Sequence, residues 1–193
     1  MKKIIVIVLL SFFMASCEPI MLGLSGEKAA TFKVIEDKAY VNGVLGKKAH
    51  KKFMKTIKKH PNIKTLVLQE VPGSISDEWN VKTCEEVRKR GMNTYLESNS
   101  VIQSGGVDLF IAGVERFSER GAKIGVHSWR NLKKDGKEYP PEHKEHDIFV
   151  DYFDVIERDT SFYWFTLRVA PADGMHFMTT EEIEKYNIVT KWK

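Results

Sequence analysis

The chain has 193 residues, of which 42% are hydrophobic, 29% charged and 11% aromatic, with 13 Gly and 6 Pro. That composition excludes low-complexity disorder, collagen and coiled-coil arrays, and at roughly 150 residues per domain it predicts one domain with one core. The formal net charge is +4, and Lys2 and Lys3 at the extreme N-terminus supply two of the positive charges. Nucleic acid is therefore not an expected partner, because phosphate binding needs a concentrated basic face.

Met1-Lys2-Lys3 is a short cationic segment, and Ile4 to Met14 is almost unbroken apolar sequence ahead of the small residues Ala15 and Ser16. Such a run is too short to span a bilayer as a helix, which needs about 20 residues, and it reads as a secretory signal. Met14-Ala15-Ser16-Cys17 resembles the bacterial lipoprotein box. The resemblance implies a signal peptide over residues 1–16, cut before a Cys17 that carries lipid, and a mature chain anchored to an envelope membrane on its periplasmic side. Glu18 after the cysteine leans toward the outer membrane by analogy with lipoprotein sorting. Plain secretion, or an uncleaved anchor, is the alternative. Residues 17–30 read as a tether and residues 31–193 as the domain. With Cys17 lipidated, Cys84 is the remaining thiol and no intramolecular disulfide can form. It shares a helical face with Trp79, Thr83 and Val87, which predicts a small buried apolar group.

Along the domain, residues 32–45 predict a β-hairpin turning at Asp37-Lys38. Residues 47–60 have helical spacing (Ala49, Phe53, Ile57) under a lysine-rich outer face that is expected to be solvated. Thr65-Leu66-Val67-Leu68 has the pattern of a strand buried on both faces. A helix over 76–90, a strand over 93–96, an apolar helix over 105–117 and a strand over 123–127 follow. This alternation predicts parallel βαβ units in an α/β domain. Residues 133–139 read as a polar surface loop, and Pro141 opens one long helix to about Leu167, with Ile148, Tyr152, Val155, Ile156 and Phe162 inward. The run Phe162-Tyr163-Trp164-Phe165 reads as core or subunit interface. Thr179-Thr180-Glu181-Glu182 is a capping box for a last short helix, which Asn187 can end in the left-handed conformation.

Three features fall at strand ends: Pro72-Gly73-Ser74, Gln103-Ser104-Gly105-Gly106 and His127. Ligands bind at the carboxyl ends of strands in open parallel sheets, so the three could converge on one crevice. Ser104 would sit at a helix N-terminus, where free N–H groups favour an oxyanion, and Gly73 could present a second N–H. A serine nucleophile, a histidine base and two backbone donors are the parts of an acyl-transfer site. Singly, Ser104 could equally be the N-cap of a tight turn and His127 a structural histidine. His143, His146 and Asp147 fall at metal-ligand spacing on the expected helix, but no third His or Cys has suitable spacing; no metal and no cofactor are expected.

Val71-Pro72-Gly73-Ser74-Ile75, Gln103-Ser104-Gly105-Gly106 with Phe110-Ile111-Ala112-Gly113, and Ile124-Gly125-Val126-His127 together resemble the Clp protease proteolytic subunit/crotonase superfamily, in particular its uncharacterised periplasmic branch. Serine to histidine is 23 residues, close to the family spacing, and the segment from Phe177 to Val189 resembles the family's closing segment. The resemblance covers residues 31–190 and implies a single-domain βαβ spiral. It also implies Ser104 as nucleophile, His127 as general base, Gly73 and Gly105 as the oxyanion hole, a peptide as substrate, and self-association into a homo-oligomer. Two positions depart from the pattern: Pro72 replaces the first glycine of the Pro-Gly-Gly turn, and Met175 falls where the family places its triad acid. Asp173, two residues earlier, is the candidate substitute. A serine hydrolase of the envelope, peptidase-like in action, is the expectation; a catalytically inactive binding or assembly scaffold is the alternative, which the displaced acid favours. Acyl-CoA chemistry is disfavoured by the expected location.

Overall fold

The computed structural model describes residues 28–193; the expected signal peptide, Cys17 and most of the tether lie outside the described residues. Among the described residues eight strands form one sheet, a main path of six with two more branching from its fourth strand. Thr31–Ile35 (β1) and Lys38–Asn42 (β2) form the antiparallel hairpin, turned at Glu36 and Asp37. Every further pairing along the main path is parallel: β2 with Thr65–Val71 (β3), β3 with Asn93–Gln103 (β4), β4 with Arg116–Ser118 (β5), and β5 with Lys191–Trp192 (β8).

Helices Lys47–Lys59 (α1), Asp77–Lys89 (α2) and Gly105–Ile111 (α3) make the crossovers. α1 buries Ala49, Phe53 and Ile57 and leaves its lysines in water. Leu66, Val67 and Leu68 are all buried, as a central parallel strand requires. Cys84 is fully buried, and burial pushes its thiol up. The architecture is the single-domain α/β βαβ spiral that the family resemblance implies, built from the parallel units that the sequence pattern predicts.

β4 is long enough to serve two neighbours. Thr94–Leu96 pairs with β5, while Val101–Gln103 pairs with Lys123–Val126 (β6), which in turn pairs antiparallel with His176–Phe177 (β7). A register shift between Leu68 and Glu70 of β3 falls near the same fork.

Three elements differ from the sequence expectation. The helix from Gly105 stops at Ile111, and Arg116–Ser118 is strand. Gly113 lies so close to Thr94 that a Cβ would sit 2.4 Å from its Oγ1, and that hydroxyl donates to the Phe110 carbonyl at 2.7 Å, which fixes the helix end on the sheet. The long helix from Pro141 is two: Asp147–Val155 (α4) and Ser161–Val169 (α5), preceded by single turns at Gly136–Glu138 and Lys144–His146. Glu157 breaks it in the left-handed conformation (φ 55°), with Arg158 N–H returning to the Phe153 carbonyl. Val155, expected inside, is exposed. The loop 133–139, expected at the surface, buries Asp135, Gly136 and Tyr139. The last helix, Thr180–Lys185 (α6), has its capping box, and Asn187 ends the turn after it at φ 47°.

Candidate active site

The parallel registers decide what meets what. Val71 pairs with Ile102, so Pro72-Gly73 leaves β3 beside Gln103-Ser104 leaving β4. Gln103 pairs with Gly125, so His127 emerges two residues along on the other side. Ser104 N–H donates to the Gly125 carbonyl at 2.9 Å, locking the two strand ends together. On the far flank the Gly73–Ser74 turn is held by Leu45, whose N–H donates to the Gly73 carbonyl at 2.9 Å and whose carbonyl accepts from Ile75 at 3.1 Å.

Ser104 has φ 50° and ψ −126°, a conformation that glycine favours and that costs a side-chain-bearing residue of order 1–3 kcal/mol. It stands at a sharp strand-to-helix junction, the geometry that lifts a nucleophile clear of the sheet. The N-cap alternative is not met, since the Ser104 hydroxyl caps no backbone N–H of α3. Gly73, at φ 138°, approaches so closely that a Cβ there would lie 3.2 Å from Ser104 Cβ and 3.7 Å from Oγ. A Cβ on Gly105 would meet Ser74 Cβ at 2.6 Å and Asn80 Nδ2 at 2.8 Å. Neither the Gly73 nor the Gly105 N–H donates to another group among the described residues. Two backbone donors thus flank the serine, as an oxyanion hole requires.

His127 lines the same narrow pocket of ≈ 50 Å³ as Ser104 and Gly105. Its Nδ1 is buried without a hydrogen-bond partner. Burial depresses its pKa below 6.5, and the backbone of Ser128, the Asp135 carboxylate and the backbone of Ala172 pull it back up. Ser104 and His127 make no hydrogen bond to each other among the described residues.

The acid is where the structure adds most. Asp173 is exposed on the turn before β7 and hydrogen-bonds to nothing among the described residues. Met175 packs on β6, its sulfur lying 2.7 Å from where a Gly125 Cβ would be. Asp135 is the buried carboxylate whose charge acts on His127. It pairs with Arg130 Nε at 2.5 Å and accepts from Ala172 N–H at 3.1 Å, tying the 128–139 loop to the segment that faces the imidazole. The loop expected at the surface instead folds inward here, with Gly136 so close to Trp129 that a Cβ would lie 2.5 Å from its ring.

The remaining pocket wall is mixed. Trp129, Phe149, Phe162 and Tyr163 line it together with Asp77 and Asp108. Asp108 is pushed up to about 7 by burial and by the charge of Asp77. Asn80 Nδ2 donates to the Gly105 carbonyl at 3.0 Å, steadying the start of α3. His146 is buried against the Tyr163 hydroxyl rather than displayed beside His143, and no group of three metal-ligating side chains occurs among the described residues.

No family model and no curated protein sequence matches the chain. Solved structures do. A membrane-bound stomatin-specific protease in complex with a substrate peptide matches with a TM-score of 0.53 and 14% identity, covering 80% of this chain and 73% of that one. An enoyl-CoA hydratase from Bacillus halodurans matches with 0.52 and 13%, covering 86% and 73%. Another from Mycobacterium marinum matches with 0.51 and 12%, covering 86% and 80%. At such identities the likeness is one of fold, and this chain shares the fold of that protease and of the enoyl-CoA hydratases.

Proposed function

We propose that the chain is a serine hydrolase of peptidase type, held to the cell envelope through a lipid on Cys17. The observation that carries the reading is the strained Ser104 between two free backbone donors, with a deprotonated-leaning histidine on the same pocket. Ser104 Oγ attacks a carbonyl and forms the acyl bond as His127 takes its proton. The N–H groups of Gly73 and Gly105 hold the oxyanion, and His127 returns the proton to the leaving group; water then hydrolyses the ester by the same route. Asp135, through its charge and its hold on Ala172, takes the part assigned to Asp173 in the sequence. A peptide substrate is supported by the fold shared with the stomatin-specific protease. Homo-oligomer formation rests on the superfamily resemblance.

A second reading, a binding scaffold without turnover, is favoured by one observation: His127 Nδ1 lacks the carboxylate bond that would fix its tautomer. Fluorophosphonate labelling with the adduct located by mass spectrometry separates the two. An adduct on Ser104 that Ser104→Ala abolishes supports the hydrolase; folded protein that takes no adduct selects the scaffold.

A further inference from the structure

Away from the serine, a second cavity of ≈ 460 Å³ opens where α2, the α4–α5 junction and the end of α6 meet. Arg88, Arg116, Arg158 and Lys185 line it, against the carboxylates of Glu157 and Asp159. Arg116 and Arg158 are hydrogen-bonded yet, among the described residues, paired with no carboxylate. Arg116 donates to the carbonyls of Ile188 at 2.8 Å, Asn187 at 3.0 Å, Gly113 at 3.2 Å and Val114 at 3.3 Å, and Arg158 to those of Asn187 at 3.1 Å and Tyr186 at 2.6 Å. Both guanidinium groups therefore converge on one carbonyl, that of the left-handed Asn187, with no carboxylate among the described residues bonded to either. Carbonyl dipoles satisfy the donors but carry no net charge.

Like charges gathered in a partly buried place oppose one another. Burial, Arg158 and Arg88 together lower Arg116 to about 10. Arg158 is lowered by burial and by Arg88, and its Nε is buried without a partner. The one carboxylate bonded to an arginine here is Glu157, at 3.1 Å from Arg88 and 82% exposed in its side chain, so it can swing away.

We propose that this cavity is a binding site for a dianionic phosphate monoester. Four cations against two carboxylates leave a surplus that matches a dianion rather than a diester's single charge. Planar guanidinium forks suit phosphoryl oxygens, and the volume suits a small ligand. The site shares the Phe162 ring with the wall of the Ser104 pocket, and the proposal does not depend on the hydrolase reading.

Titration calorimetry of the full chain in neutral detergent, with methyl phosphate and dimethyl phosphate as probes, tests this. Methyl phosphate binds with a sub-millimolar constant, and dimethyl phosphate about tenfold more weakly. Arg88→Gln weakens methyl phosphate by about tenfold, whereas Glu157→Gln, which removes the competing carboxylate, tightens it a few-fold. A merely structural cluster gives no such tightening. The Glu157 side chain is exposed, and Glu157→Gln alone decides the matter should Arg88→Gln unfold. No heat with methyl phosphate, equal binding of the two probes, or binding indifferent to both substitutions overturns the proposal.

Discussion

Gly105→Ala is the substitution on which the oxyanion geometry stands or falls. The added Cβ lies 2.6 Å from Ser74 Cβ and 2.8 Å from Asn80 Nδ2, whereas ordinary contact begins at 3.4 Å, so the start of α3 and the Gly73–Ser74 turn must separate by about 0.8 Å. Neither neighbour yields easily. Ser74 is clamped through Leu45, and Asn80 is 1% exposed and bonded to the Gly105 carbonyl. Overpacking costs about 1–3 kcal/mol, partly offset by about 1 kcal/mol of helix propensity when Ala replaces Gly. The melting temperature therefore falls by no more than about 8 °C. Function loses more, because a donor displaced by nearly an ångström stabilises the oxyanion poorly: fluorophosphonate labelling of Ser104 slows by about 10²-fold. The assay pairs labelling kinetics with a thermal melt. A Gly105→Ala protein that labels as fast as wild type would refute the assignment of the Gly105 N–H.

Ser104→Gly abolishes labelling yet stabilises the fold by about 1 kcal/mol, because glycine tolerates φ 50° without strain; a lowered melting temperature would show that no strain is stored there. His127 titrates below 6.5, so labelling holds as pH falls through 6.5 and declines only beneath it. The sign for stability follows from the same shift: below pH 6.5 the unfolded chain takes up a proton that the native imidazole refuses, and stability is lost with it. An acid limb centred above 6.5 contradicts both statements. Asp135→Ala strips Arg130 and the Ala172 N–H of their partner and costs about 2–4 kcal/mol in a urea melt; a loss under about 0.5 kcal/mol would place Asp135 outside the framework of the site. The same variant removes the charge that raises His127, so the imidazole titrates still lower.

The sequence by itself determined the alternation of strands and helices, because apolar runs at Leu66–Leu68 and helical spacing at Ala49, Phe53 and Ile57 are local facts. It also singled out Ser104, Gly73, Gly105 and His127, since glycines flanking a serine at a strand end carry a backbone requirement that spacing reveals. It misjudged the ends of α3 and the single long helix, because a helix is stopped by what it packs against: Thr94 under Gly113, and the carbonyls of Tyr186 and Asn187 that draw Arg158 out of line. The burial of the Asp135 carboxylate and the arginine cluster were decided by tertiary structure alone. Asp135 reaches the imidazole's surroundings because Ala172, 37 residues on, needs an acceptor, and Arg116 meets Arg158 because both clasp one carbonyl at Asn187. Electrostatic partners are chosen by distance in space, and the length of β4, which seats β5 and β6 on different stretches of one strand, is a feature of the assembled sheet.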